Sequence, residues 1–384
     1  MKYFISTGEH SGDMHGATLV REIKKLDPEA EFRGMGGPLM AGEGVRVLFD
    51  PTRHSTIGFW EAIKHLLRFR RLLSVYTRVL KEYRPDVFIW LDFGGFNLLL
   101  AERAKRLSIP VACLFSPSAW AYGKKRAVRM AECVSHLAAV FPFEADFYRR
   151  FGLKVTYIGH PLLDRVKTAV SREKWRRAQG IDDGEKVVVL MPGSRQQEIR
   201  NLLPVMLAAA EKLQAEHKEV KFYLPLASTV EKTQLNSFLT GFSGRINVVD
   251  NNVYPLLAAA DLGVLSSGTA TLEAAISGLP VVVVYRISRP SAFVYRRLRN
   301  KESRGREVSI ALPNLIAGQK ILPELLQNDL TPDNLTDKMK ELLKENARAA
   351  IKAEYEKIRK QLGPPGVMER AARVVTAEAQ IAHK

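Results

Sequence analysis

Cysteine is nearly absent from this chain: Cys113 and Cys133 are the only two in 384 residues. With no CxxC pair and no dense cysteine framework, the composition argues against a disulfide-stapled secreted fold and for a reducing compartment. Long apolar runs are missing too. No uninterrupted stretch reaches the roughly 18 to 20 residues that a membrane span requires, and the opening MKYFISTGEH has no apolar core of signal-peptide length. The expectation is a protein that is soluble or rests on a membrane surface. Histidines and cysteines do not recur at the close spacing zinc needs, so no metal and no cofactor is expected. No GxGxxG follows the first apolar run, which argues against a nicotinamide dehydrogenase. Acidic residues are the minority, 41 against 58 basic, for a net charge of +17. That balance favours a polyanionic partner: nucleic acid, anionic lipid or a phosphorylated substrate. Nucleic acid is not expected, because the aromatics beside the basic segments are mixed with long aliphatics and form no stacking series.

What is present is a chain 46% hydrophobic and only 26% charged, enough to bury a large core divided between two domains. Short β-branched or aromatic runs (KYFIS, VRVLF, DVFIWLD, IPVACLF, LAAVF, VTYIG) alternate with amphipathic segments. After the polar stretch 171–186 a second series begins: KVVVLMPG, VKFYLPLA, INVVD, LGVLSS, VVVVYR. Strands apolar on both faces with helices between them predict parallel sheets of βαβ units. The fold class expected is α/β, two doubly wound Rossmann-like domains with an inter-domain cleft. The boundaries read as 1–165, 166–335, and a helical tail, 336–384, packing back on the first domain.

Ligands of such sheets bind beyond the carboxyl ends of the strands. Five loops there carry candidate chemistry. In GEHSGDMHG, Gly8 and Gly12 permit a tight turn and Ser11 or Asp13 can cap the next helix, leaving Glu9 and His10 without a capping role. In WLDFGGFN, Asp92 ends an apolar strand, where a carboxylate needs a partner or a task; deprotonating a sugar hydroxyl is one. In FSPSAWAYGKKR, Ser116 and Trp120 suit a sugar ring or acyl chain and Lys124 suits a phosphate. In MPGSRQQEI, Gly193 and Ser194 follow a strand, Ser194 and Gln197 fit a capping box, and Arg195 is left to meet a diphosphate. In LSSGTATLEAA, Ser266, Ser267, Gly268 and Thr269 are small residues at a helix start, and Glu273 lies about one turn beyond Thr269, within reach of ribose hydroxyls.

Two segments hold most of the excess charge. Residues 53–84 carry eight basic residues against Glu61 and Glu82, interleaved with Phe59, Trp60, Leu66 and Phe69. Residues 286–306 carry eight more against Glu302. A basic helix with bulky apolar residues is the composition of an interfacial element, each surface cation adding about 1 kcal/mol near anionic lipid.

Taken in order, GEHSGD, FRGMGGPLM, FSPSAWAY, FPFEADFY, YIGHPLLD, MPGSRQQEI, SSGTATLEAA, PVVVVYR and SIALPNLIAG resemble the lipid-A-disaccharide synthases, from about residue 5 to about 327. The resemblance implies an inverting, metal-independent glycosyltransferase of the GT-B type. It would join UDP-2,3-diacylglucosamine to 2,3-diacylglucosamine 1-phosphate, giving a β-1,6 disaccharide 1-phosphate and UDP. It implies Asp92 as base, Glu9 and Ser11 on the substrate loop, Arg195, Ser267, Thr269 and Glu273 on UDP, and Asn314 in a motif closing over the nucleotide. It further implies attachment to the cytoplasmic face of the inner membrane and allows a homodimer through the terminal helices. One departure is that Gly94 and Gly95 stand where the family commonly has a proline and a second aspartate. The rival reading is another GT-B enzyme acting on UDP-N-acetylglucosamine, an epimerase or a peptidoglycan-type transferase.

Overall fold

The structure is a computed structural model that describes residues 1–51, 61–116, 124–166, 170–226, 232–240, 242, 244–250, 253–286 and 309–381. The chain forms two compact units, Met1–Pro161 with Leu362–Lys384, and Leu162–Gln361.

The first unit is built on β1 (Lys2–Ser6), β2 (Glu31–Met35), β3 (Arg46–Phe49), β4 (Val87–Trp90), β5 (Val111–Leu114), β6 (His136–Ala139) and β7 (Val155–Tyr157). These run in the order β3-β2-β1-β4-β5-β6-β7, every pairing parallel. The second unit has β8 (Lys186–Met191), β9 (Val220–Leu226), β10 (Ile246–Asp250), β11 (Leu262–Ser266), β12 (Val281–Tyr285) and β13 (Glu324–Leu326), in the order β10-β9-β8-β11-β12-β13 and again all parallel. Both are doubly wound, as expected. Central strands such as β4 (VFIW) and β5 (VACL) are buried along their whole length because helices cover both faces. In the first unit, Phe4, Tyr76, Phe88, Trp90 and Phe96 make a common aromatic core.

Strand order reverses between β1 and β4 in one sheet and between β8 and β11 in the other. Connections leaving such a neighbouring pair diverge to opposite faces and leave a crevice at the carboxyl ends of the strands. The loops singled out in the sequence, 7–13 and 91–97 in one unit and 192–197 and 267–273 in the other, follow these four strands.

Three features differ from the sequence reading. The stretch EFRGM is a strand, β2, despite its polar residues, because it pairs with β1 at the point where Gly34 lets the two backbones close; a Cβ there would lie 1.8 Å from the Ile5 carbonyl oxygen. The polar stretch 171–186, read only as the break before the second strand series, is structured. It contains the helix Arg172–Ala178, with Ser171 as its cap, and Arg172 and Arg176 bind the buried Asp261 at 2.8 and 3.3 Å. Nor does the whole tail return from residue 336. The helices Pro332–Leu343 and Glu345–Gln361 stay with the second unit, and only Val367–Ile381 packs on the first unit, against the helix His10–Leu26. The buried Glu378 pins that last helix through His136 and Lys154, at 2.8 and 2.6 Å. No described helix is long and apolar enough to cross a membrane.

Candidate functional site

At the first switch point the loop after β1 grips the carboxylate that follows β4. Thr7 Oγ1 donates to Asp92 Oδ2 at 2.8 Å and the Gly8 amide donates to Oδ1 at 2.6 Å. The Asp92 carbonyl oxygen accepts from Trp90 Nε1 at 2.7 Å and from Asn97 Nδ2 at 2.6 Å, and Asn97 Oδ1 accepts from Ser6 Oγ at 2.6 Å. Both the side chain and the backbone of Asp92 are therefore held. Burial pushes its carboxyl up to about 6, against the opposing pull of the Gly8 and Thr7 hydrogen bonds. A group so placed is ionised at neutral pH and is a stronger base than an exposed aspartate.

The glycines of GEHSGD serve a different end from the one their spacing suggests. Neither Gly8 nor Gly12 has a positive φ, so neither makes the turn by backbone freedom. A Cβ on Gly12 would fall 1.9 Å from Thr7 Oγ1 and 2.0 Å from Asp92 Oδ2, and one on Gly8 would fall 2.4 Å from Phe93 Cγ. They supply clearance for the carboxylate and for Phe93, which stands at φ +54°, a rare conformation for an aromatic residue. Capping is also corrected. The helix His10–Leu26 has Glu9 at its N-cap without a side-chain cap bond, and Ser11 is exposed in its first turn. Asp13 is fully buried and instead accepts the amides of Gly37, Leu39 and Met40 at 2.8, 3.0 and 3.1 Å, tying GEHSGD to FRGMGGPLM. Glu9, His10 and Ser11 are thus exposed side chains beside the Asp92 seat.

Ser116, expected to face an acceptor, turns inward. Its Oγ donates to Oε1 of Glu144, which is only 2% exposed, and Glu144 Oε2 accepts the Val140 amide at 3.1 Å. Burial pushes Glu144 up to about 7. The preceding Phe115, at φ +54°, stacks on His15 at 4.7 Å between ring centroids. Phe59, Trp60 and Trp120 lie outside the described residues. Lys124 opens the helix Lys124–Cys133. Between the helices Glu61–Tyr83 and Gly94–Arg106 lies a groove of about 1000 Å³, lined by Phe69, Leu73 and Leu99 with Arg70, Arg78 and Arg103.

At the second switch point, Gly193 follows β8 with φ +111°, and a Cβ there would meet Glu198 Oε2 at 2.2 Å. Arg195 rather than Ser194 is the N-cap of the helix Gln196–Glu216, and it makes no side-chain cap bond, so the helix starts one residue later than the expected capping box of Ser194 and Gln197 requires. Arg195 is 74% exposed and its guanidinium contacts Glu198 at 2.9 Å. After β11, Ser267 Oγ donates to the Ile310 carbonyl at 3.0 Å. Gly268 caps the helix Thr269–Ile276 in extended backbone, and among the described residues nothing beyond its own chain neighbours and helix lies within 4 Å of where a Cβ would stand. Small residues thus leave that helix terminus open. Glu273 Oε1 accepts the Tyr254 hydroxyl at 3.0 Å.

Asn314 does not face an open site. It is 1% exposed, its Nδ2 donates to the Leu322 carbonyl and Glu324 Oε1 at 3.1 and 2.8 Å, and its Oδ1 accepts the Ile321 and Leu322 amides at 2.9 and 2.8 Å. Its amide is fully engaged in fastening loop 318–324. Glu324, which sequence reasoning missed, also accepts the amides of Ile310 and Ala311, and Ile310 in turn meets Ser267. Nothing in the local sequence marks Glu324, since its partners lie 10 to 14 residues away.

The sequence matches the family described as "Lipid-A-disaccharide synthetase" over residues 3–377. The chain belongs to the lipid-A-disaccharide synthase family. It is 38% identical over 360 residues to the lipid-A-disaccharide synthase of Nitrosococcus oceani, covering 94% of this chain and 92% of that protein. To that of Geobacter sulfurreducens it is 36% identical over 375 residues, 97% and 96% of the two chains. Among solved structures, the UDP-GlcNAc 2-epimerase of Neisseria meningitidis bound to UDP-GlcNAc superposes with a TM-score of 0.62 at 14% identity, covering 99% of this chain and all of that one. At that identity the likeness shows the fold alone: the two doubly wound units of this family member are of the GT-B type.

Proposed function

We propose that the protein transfers 2,3-diacylglucosamine from its UDP derivative to 2,3-diacylglucosamine 1-phosphate, forming the β-1,6-linked disaccharide 1-phosphate and UDP with inversion. The observation that carries the mechanism is the seat of Asp92, a carboxylate fixed by Thr7 and Gly8 and raised to about 6. Its task is to take the proton from the acceptor's 6-hydroxyl as that oxygen attacks the anomeric carbon and the bond to UDP breaks. Glu9 and Ser11 contact substrate beside it. Charge developing on the departing diphosphate is stabilised by Arg195 and by the amides at the start of the helix Thr269–Ile276, while Glu273 holds the ribose. These groups supply the electrostatics that a cation would otherwise supply, so turnover should persist in the presence of a chelator. Family membership favours this over UDP-N-acetylglucosamine epimerisation, for which the likeness is one of fold.

The test is to mix the protein with UDP-diacylglucosamine and diacylglucosamine 1-phosphate and look for the disaccharide. Near-normal turnover by Asp92→Ala would remove the assigned base, and epimerisation of UDP-N-acetylglucosamine without a lipid product would establish the rival.

A diacylated substrate is met at a bilayer. The basic, apolar-lined groove beside the helix Glu61–Tyr83 suits peripheral attachment to an anionic surface, the cytoplasmic face of the inner membrane. Sedimentation with anionic vesicles at low salt and no sedimentation with neutral ones is the expected result; equal behaviour with both refutes the electrostatic attachment.

A further inference from the structure

We propose that Tyr254 is a positioning residue that aims Glu273 at the ribose diol, so that this pair makes the nucleotide site prefer UDP over a nucleotide lacking the sugar hydroxyls. The proposal rests on the UDP reading above. Tyr254 lies in the helix Val253–Ala259, in the connection from β10 to β11, and Glu273 lies in the helix Thr269–Ile276 that follows β11. The Tyr254 hydroxyl donates to Glu273 Oε1 at 3.0 Å, and among the described residues Glu273 Oε2 takes no hydrogen bond. One carboxylate oxygen is thus pinned and the other is available. Glu273 sits about one helical turn past the open Gly268–Thr269 start of its helix, the part of this unit suited to phosphate.

The tyrosine is itself held. Its ring is partly buried, with the Arg165 guanidinium 5.9 Å from the ring centroid. Burial and the neighbouring Glu273 charge push the phenol far above its ordinary value, so it remains a donor at every physiological pH. Without that hydrogen bond the carboxylate is free to rotate about its last torsions, and the oxygen facing the sugar loses its fixed direction. A site built to bond a hydroxyl discriminates against the analogue that lacks it, because its acceptor is then left unpaired.

The experiment is calorimetric titration of the full chain with UDP and with 2′,3′-dideoxy-UDP, using wild type, Tyr254→Phe, Glu273→Gln and the double variant. Thermal unfolding of each variant is followed alongside. Tyr254→Phe is expected to weaken UDP about five- to tenfold, the scale of one charge-assisted hydrogen bond acting indirectly. The dideoxy nucleotide should bind the variant and the wild type alike, and adding Tyr254→Phe to Glu273→Gln should cause no further loss. An equal loss for both nucleotides, or unchanged UDP affinity in Tyr254→Phe, overturns the proposal. Should wild type bind dideoxy-UDP as tightly as UDP, the ribose role falls while the UDP reading survives. Failure of wild type to bind UDP at all removes the reading and the proposal together.

Discussion

Replacing Asp92 by asparagine should destroy activity and at the same time stabilise the protein above neutral pH. The folded carboxyl titrates at about 6 against an ordinary 3.8, so the native state holds this proton more tightly than the unfolded chain does. The contribution of this group to stability is therefore greatest below about pH 4, falls as pH rises through that interval, and stays reduced above about pH 6, by roughly 3 kcal/mol at 1.36 kcal/mol per pH unit. Asparagine carries no charge to bury. Its carbonyl can keep the Gly8 amide, and the Thr7 hydroxyl can reverse to accept from its amide, so most of the bonding at 2.6 and 2.8 Å has a neutral equivalent. Allowing about 1 kcal/mol for imperfect replacement leaves a net gain of about 2 kcal/mol at pH 8, or a Tm rise of some 4 to 8 °C for a chain whose units behave like domains of this size. Thermal unfolding of both proteins at pH 4.5 and pH 8, in buffers of equal ionic strength, reads the effect. The advantage of the variant should appear at pH 8 and shrink or reverse at pH 4.5. Wild-type kcat/KM should fall tenfold per pH unit below about 6, since the base is then protonated. An asparagine variant less stable than wild type at pH 8 would show that the carboxylate is not held at a cost, and the raised pKa would go with it.

Further outcomes follow from the same contacts. Gly12→Ala places a methyl 2.0 Å from Asp92 Oδ2 and should lower turnover at least about 100-fold, whereas Gly95→Ala, inside the helix Gly94–Arg106 and with nothing beyond its own helix within 4 Å among the described residues, should unfold at or slightly above the wild-type temperature. Retained turnover in Gly12→Ala contradicts the clearance argument. Asn314→Ala removes two donated and two accepted bonds at a buried site and should cost about 2 to 4 kcal/mol in urea unfolding; unchanged stability with weakened UDP binding would return Asn314 to the nucleotide. Ser116→Ala leaves a buried carboxylate without its hydroxyl partner and should cost about 1 to 3 kcal/mol at pH 8, measured the same way.

The doubly wound architecture was legible because it depends on local pattern. Runs such as VFIW and VVVVY are apolar on both faces whatever surrounds them, and a carboxylate at the end of one of them, Asp92, stands out for the same reason. What a side chain touches across the fold was not legible. Ser116 and Asn314 are polar residues in substrate-like loops, yet their partners, Glu144 and the 321–324 segment, sit 28 and 7 to 10 residues away, and burial there turned both inward. The helix Arg172–Ala178 was not legible because its arginines face Asp261, 85 to 89 residues away, a distance that no local window spans.

GEHSGD shows how one short segment can be read correctly in kind and wrongly in mechanism. Its glycines suggested a turn, and the segment does lie between a strand and a helix, but the first turn of that helix is crowded against a carboxylate from β4 and the glycines are what the crowding permits. A turn glycine tolerates replacement by residues that adopt positive φ, such as asparagine; a clearance glycine tolerates no Cβ at all. At Gly12 the two readings part company in a single variant. Gly12→Asn should be as inactive as Gly12→Ala, and an asparagine variant that kept the activity of wild type would restore the turn interpretation and detach GEHSGD from Asp92.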